Sequence, residues 1–403
     1  MKPALRRLSV FAIALALAIA FSIPASAGAH GRGHHPGHHG KGHHHKGHGH
    51  GHHGKGHHGH HGHGKRDLTV MTQNLYLGSS LNPALEATTP EGFFEAVARI
   101  YATVQYTNFP ARAEAIADSI EQKAPDLIGL QEVTKWTTGG LNPPSGYDFL
   151  EILQSELEAR GLHYSAAAIA NNAKIGPAPL ALAEQGCVQP GPTVTCFVTL
   201  EDRDAILVND DTPGLTWNNP QSGRYAAQQE IVSPVGPLSF DRGWASIDAK
   251  LKHKPFRFVD THLETEASPI VQQEQAAEFL AGPGNGGTIV ATGDFNSASD
   301  GSTTTSYAQL TAPGKFRDAW SEELLGPGSS CCQESSLIPQ LAPGQLNNEA
   351  STLETRIDLI LSRGAARTSG GEAELVGDTR FQAEPPFWPS DHAGVVSTLH
   401  LGH

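Results

Sequence analysis

Short apolar, β-branched runs bounded by polar residues, Gly or Pro recur through most of the chain. They are Leu68 to Met71, Leu127 to Leu130, Phe256 to Val259, Thr288 to Ala291, Ile357 to Leu361 and Val395 to Leu399. Runs this short and this apolar read as buried strands. Between them, Pro110 to Gln122, Tyr147 to Gly161 and Ile270 to Ala281 place apolar residues at three and four spacing, the period of an amphipathic helix. Strands alternating with helices predict an α/β fold. No internal repeat interrupts the pattern, and after Asp67 no low-complexity linker marks a boundary, so residues 67–403 read as one domain. Thr137 to Pro144, Asn171 to Thr195, Asn209 to Ser222 and Pro327 to Asn348 break the alternation and read as long surface insertions.

The pattern is different before Asp67. Lys2, Arg6 and Arg7 precede an apolar run from Leu8 to Ile23, and Ala25-Ser26-Ala27 has the small-x-small form that a signal peptidase cleaves. At about 16 residues the run is shorter than the roughly 20 of a spanning helix. Residues 1–27 are therefore expected to be a signal peptide, with a mature start near Gly28 and a secreted, extracellular or periplasmic destination. Arg6-Arg7 is also compatible with a twin-arginine route, which leaves the export pathway open. Residues 28–66 form a His/Gly-rich segment: from His30 to His63 there are 17 of the chain's 23 histidines and no apolar side chain to build a core. Disorder is expected there, with imidazoles dense enough to bind Zn2+, Ni2+ or Cu2+ and to become cationic as pH falls. A solvated spacer is the plainer reading of the same composition.

Charge sharpens the division. The 403 residues carry a formal net charge of −13, but residues 1–66 contain nine Lys or Arg and no Asp or Glu. That leaves 19 basic against 41 acidic residues in the body, a net of −22. Such a surface repels polyanions unless a cation bridges the contact, which argues against sequence-independent DNA binding through a basic face. Nothing after the leader resembles a membrane span, and a monomer is expected.

Four cysteines in an exported chain favour disulfides. Cys187 and Cys196 flank a stretch with two prolines and a glycine that can fold back, so this pair is expected to be bridged. Closing such a loop contributes on the order of 2 to 3 kcal/mol. Cys331 and Cys332 are adjacent and must form a vicinal bridge, pair elsewhere or stay reduced. Neither pair has the two-residue spacing that wraps a zinc ion.

Several apolar runs end in a group capable of chemistry: Asn74 in MTQNL, Glu132 in DLIGLQE, His262 in FVDTHLE, and Asp294 with Asn296 in GDFNS. Asp358 opens a later strand, and Ser390-Asp391-His392 precedes the last one. Strand ends are where α/β folds expose functional side chains. Taken singly, each has a structural explanation, whether turn former, surface carboxylate or satisfied core imidazole. No serine nucleophile elbow, phosphate-binding glycine loop or dinucleotide fingerprint is present.

In this order the blocks at Asn74, Gln131-Glu132, Thr261-His262-Leu263, Gly293 to Asn296 and Ser390 to His392 resemble the endonuclease/exonuclease/phosphatase superfamily, the deoxyribonuclease I-like metal-dependent phosphoesterases. Arg203 to Leu207 and Arg356 to Asp358 look like two secondary blocks, and the resemblance spans about Leu68 to Leu401. It implies a four-layer α/β sandwich of two packed mixed sheets flanked by helices, with the site at one edge. It further implies that Glu132, Asn74 and Asp391 hold Mg2+ or Mn2+ and that Asp294 orients or deprotonates water beside Asn296. His392, paired with Asp358, then stabilises the transition state or protonates the leaving group, while His262 contacts a phosphate oxygen.

The expected partner is a phosphate ester, either nucleic acid or a phospholipid or small phosphodiester. Nuclease and phospholipid or sphingomyelin phosphodiesterase activities compete, with inositol polyphosphate phosphatase behind them. A reading of another class is a metal-sequestering protein that uses the His tract, its domain binding a ligand without catalysis. Deleting His30 to His63 separates the two, because an enzyme keeps its turnover and a sequestering protein does not keep its phenotype.

Overall fold

In the computed structural model, which describes residues 67–140, 146–180, 196–333, 338–368 and 370–402, the alternating runs assemble into two β-sheets. The segments assigned above to a signal peptide and a His-rich tract, 1–27 and 28–66, lie outside the described residues. Each predicted strand is present: Asp67–Asn74, Leu127–Gln131, Lys254–His262, Ile289–Asp294, Asp358–Arg363 and Gly394–Leu401. So are the helices, as Phe109–Lys123, Phe149–Ala159 and Pro269–Ala281.

The first sheet has nine strands, and its central pair is Asp67–Asn74 beside Leu127–Gln131 in parallel. A parallel pair needs a crossover, supplied here by the helices Pro90–Tyr106 and Phe109–Lys123. The second sheet has six strands, and its parallel pair, Lys254–His262 beside Ile289–Asp294, is joined by the helix Pro269–Ala281. Both parallel pairs therefore run their C-terminal ends, with the chemistry-bearing blocks, in company.

Period-two alternation puts one face of each sheet against the other. Leu68, Val70, Leu127 and Ile206 pack with Ile247, Phe256, Phe258, Val290 and Ile360 in a single buried cluster between the sheets. The outer face of the first sheet is covered by helix residues Phe93, Ile100, Phe109, Ile116 and Leu153. Phe279 and Ala276 cover the outer face of the second. Two mixed sheets flanked by helices are the architecture that the family resemblance implied.

Three of the proposed insertions need correction. Thr137–Gly139 belongs to the strand Lys135–Gly139, Asn171–Pro179 extends the strand Tyr164–Pro179, and Leu215–Ser222 lies in Leu215–Arg224. Turn-forming residues disguised them, because the chain takes them up in bulges. The register of Leu215–Arg224 shifts between Ser246 and Asp248, opposite Asn219 and Pro220, on an edge strand where a proline costs no ladder bond. Tyr164–Pro179 likewise shifts around Gly176-Pro177. The helix Pro90–Tyr106 was not predicted; its aromatic and β-branched Ile100, Tyr101, Thr103 and Val104 read locally as strand and are buried by packing.

Cys196 is buried and disulfide-bonded, while Cys187 lies outside the described residues. Cys331 is bonded to Cys332. No described helix is long and apolar enough to cross a membrane.

Candidate active site

Strand register sets the site. His262 pairs with Asp294, and Asp294 pairs with Asp358, so three functional side chains stand in a row across neighbouring strands. The first sheet contributes Asn74, in register with Gln131, and Glu132 directly after it. His392 and Asp391 enter just before the final strand.

These groups converge. His392 Nδ1 is 2.9 Å from Asp358 Oδ2, and its Nε2 is 3.8 Å from Asp294 Oδ2 and 4.0 Å from Asp391 Oδ1. His262 Nε2 is 3.4 Å from the same Asp294 oxygen. Asn74 Nδ2 donates to Asp294 Oδ2 at 3.2 Å and to Glu132 Oε1 at 3.3 Å. The Asn74 oxygen accepts from Tyr76 N, and its nitrogen bridges the two carboxylates. Glu132 Oε2 accepts from Leu77 N at 2.7 Å. Asn296 holds Asp294 through its backbone N–H, at 2.9 Å from Oδ1, and anchors its own carboxamide on Leu263 O.

Backbone conformation marks the same places. Glu132 and Asn296 adopt φ of 52° and 48°, left-handed values that cost a non-glycine residue about 1–3 kcal/mol. Gly293 has φ of 156°, and a Cβ there would sit 2.1 Å from Thr261 O. Only glycine lets the Asp294 strand approach the His262 strand this closely.

Two residues that sequence reasoning missed hold the site in place. Arg242 precedes Gly243, which pairs with His262, and its Nη1 lies 3.0 and 3.1 Å from the two imidazole nitrogens. Arg112 sits in the apolar stripe of its helix with Phe109, Ala113, Ile116 and Ile120, and a charged residue in such a stripe was the available clue. It is fully buried, forms no ion pair among the described residues, and donates to the carbonyls of Leu75, Tyr76, Thr107 and Pro389. Those bonds tie the loop after Asn74 to the one before Ser390. Ser390 Oγ completes the tie by donating to Asn74 O at 2.7 Å. Asp204, from a secondary block, places Oδ1 4.0 Å from His262 Nδ1.

Electrostatics splits the two imidazoles. Burial alone would lower the pKa of His392, but Asp358, Asp391 and Asp294 outweigh it and hold it well above the usual value. Burial lowers His262, and Arg242 and His392 push it further the same way. Asp294 is pushed up to about 7 by burial, with Asp358 and Glu132 adding to the rise. Asp391 keeps 21% of its side chain exposed, yet desolvation followed by the charge of Glu132 raises it to about 7 as well.

Among the described residues no Lys or Arg forms an ion pair with Glu132, Asp294 or Asp391. The site thus gathers more buried negative charge than its imidazoles neutralise. Hard oxygen donors in charge excess fit a divalent cation. Asp294, Asp358 and His392 also bring ligand atoms within 4.8 Å of one another.

The fold and this arrangement define a hydrolase of phosphoric ester bonds. The model of the Endonuclease/Exonuclease/phosphatase family matches residues 71–392, and the chain belongs to that family, whose members are typically divalent-metal dependent. Among solved structures, the endonuclease/exonuclease/phosphatase of Beutenbergia cavernae DSM 12333 is 18% identical with a TM-score of 0.50, covering 84% of this chain and 72% of that one. A family protein of Bacteroides vulgatus is 17% identical, TM-score 0.45, covering 83% and 99%. The mannosyl-6-phosphatase of Bacteroides thetaiotaomicron VPI-5482 is 17% identical, TM-score 0.47, covering 82% and 99%. No curated protein matches the sequence.

Proposed function

We propose that this chain is a secreted, divalent-cation-dependent phosphodiesterase. The observation that carries the reading is the row His262, Asp294, Asp358 in strand register, facing His392 across Asp294. These parts serve the hydrolysis of a phosphate ester, of which a diester is the reading adopted: a carboxylate to take a proton from water, an acid to meet the leaving oxygen, and donors for the remaining phosphate oxygens.

Glu132 and Asp391 are the residues that would hold the cation, with Asn74 orienting Glu132; bound Mg2+ or Mn2+ neutralises phosphate charge and polarises the ester. Asp294 accepts the proton of the attacking water, with Oδ2 held by Asn74 Nδ2 and Oδ1 fixed by Asn296 N. His392 acts as an imidazolium: Asp358 binds Nδ1, which leaves Nε2–H for the pentacovalent phosphate or the leaving oxygen. His262, neutral beside Arg242, serves a non-bridging phosphate oxygen, and Arg242 adds positive charge behind it.

Nucleic acid is the first candidate substrate, reached through bridging cations because the body is acidic. A phospholipid headgroup is the second, favoured by one surface feature. Val232 and Val235 are exposed on the hairpin Glu230–Ser239, and Ile270 is exposed on the helix whose N-cap Ser268 bonds Gln229 at its base. Secretion rests on the leader of residues 1–27, and N-terminal sequencing of exported protein should read from Gly28.

The deciding experiment offers the full chain plasmid DNA, RNA, sphingomyelin vesicles, inositol polyphosphates and bis(p-nitrophenyl) phosphate, with Mg2+ or a chelator, beside Glu132→Gln. Cleavage of a diester that chelator and variant both abolish is expected. Cleavage of phosphomonoesters alone, or full activity in Glu132→Gln, would overturn the reading.

A further inference from the structure

The residues around Cys331 form a strap between the two segments that carry the charged dyad. Cys331 makes backbone bridges to Thr355 on one side and His392 on the other. Ser330 N and Cys331 N both donate to Thr355 O, Ala393 N donates to Ser330 O, and Gln333 N donates to Asp391 O. Ser330 Oγ accepts from the backbone N–H of Ile357 and of Asp358, each at 3.2 Å. Asp358 and His392 are thus joined twice, once by their side chains and once through this strap.

The strap bears the bonded pair Cys331–Cys332. Cys331 is buried and Cys332 faces solvent, with Cys332 Sγ 3.8 Å from His392 Nε2. Both sulfurs and a ring nitrogen of His392 lie within 4.8 Å of one another. Nε2 is the atom left for substrate once Asp358 has taken Nδ1. A disulfide sulfur has no proton to give and is a feeble acceptor, so it leaves Nε2 available. A free thiol side chain can rotate as the bonded pair cannot, and from this distance its sulfur can move into the space in front of Nε2–H.

We propose that Cys331–Cys332 is a redox modification site in the active-site wall, which permits turnover when bonded and restrains it when opened by a dithiol. In the opening step the Cys331–Cys332 bond breaks and the reductant's two sulfurs join. Two protons pass from the dithiol to the cysteine sulfurs, and the reductant leaves as its cyclic disulfide. Cys332, released from its neighbour and solvent-facing, then engages His392 Nε2 and loosens the strap that holds Asp391 and Asp358. A disulfide oxidant reverses the change.

The inference rests on the reading of His392 as the group that meets the phosphate. The test uses the full oxidised chain with Mg2+ and bis(p-nitrophenyl) phosphate, before and after dithiothreitol, with peptide mass mapping to confirm that the 331–332 bond has opened. Turnover should fall about ten-fold or more, up to the roughly 10²–10⁴-fold that a positioned acid contributes in full, with KM little changed, and recover on reoxidation. Cys196→Ser should keep this response, and Cys331→Ser/Cys332→Ser, or Cys332→Ala alone, should lose it. Unchanged turnover in mapped, reduced protein, or a response that survives in the cysteine variants, overturns the inference. A chain that turns over no ester while oxidised contradicts the phosphoesterase reading instead. In that case the imidazole nitrogen resonance of His392 still decides: it should move on reduction, and a fixed resonance sinks the redox site.

Discussion

His392 and His262 flank the same carboxylate oxygen of Asp294, at 3.8 and 3.4 Å, and both are buried, yet their environments drive them to opposite charge states. His392 has Asp358 at 2.9 Å behind it and two further carboxylates in reach. His262 has the Arg242 guanidinium at 3.0 Å, and its nearest rearward carboxylate, Asp204, is farther away at 4.0 Å. The difference teaches how one residue type fills two roles around one reaction. Burial drives both rings toward the neutral form, and the partner on the far side of the ring decides whether that is reversed, as by Asp358 at His392, or reinforced, as by Arg242 at His262.

The strongest way to break the contrast is to remove the partner that charges His392. Asp358→Asn should lower kcat by about 10²–10⁴-fold, since a positioned acid supplies that much, and measured turnover on a diester with a good leaving group should suffer less than on a poor one. Equal losses on both substrates would deny His392 the role of acid. Next comes the partner that neutralises His262. Arg242→Met removes a charged contact worth about 1.5–3 kcal/mol, so kcat/KM should fall roughly 10- to 100-fold, and the pKa of His262 should rise, with burial still holding it down. A variant with unchanged kinetics would make Arg242 a packing residue.

The smallest effect is on stability. Asp294 and Asp391 are raised from 3.8 to about 7 in the folded chain, so folding holds their protons more tightly than the unfolded chain does. Without a cation, the stability they contribute is complete below pH about 4 and is lost as pH rises through 7. A cation that binds their ionised forms should offset the loss. Mg2+ should therefore raise the Tm by a few degrees at pH 7.5 and by less at pH 5, as read by calorimetry. Equal shifts at both pH values would place the bound cation elsewhere.

Much of this was legible in the sequence because it depends on local order. The strands are short apolar runs, and the chemistry follows each run directly, so Asn74, Glu132, His262 and Asp294 could be found before it was known which strands pair. What was hidden depends on pairing. Arg242 looks like any surface arginine until Gly243 is set beside His262. Arg112 becomes a clamp only when two loops from opposite ends of the chain meet at its guanidinium. The adjacent cysteines could be paired on paper, but their place against His392 follows from a strap between residues 330 and 393. The bulged strands at 171–179 and 215–222 were concealed by their own turn residues, which serve an edge or a register shift where loops were expected.

The contrast between the two imidazoles is measured most directly by 15N NMR titration of the cation-free full chain, with His392→Asn and His262→Asn to identify the two resonances among those of the histidine tract. The resonance lost in His392→Asn should remain an imidazolium well above the ordinary histidine pKa of about 6.5, and the one lost in His262→Asn should remain neutral well below it. Two resonances titrating together near the ordinary value would contradict the division of labour on which the mechanism stands.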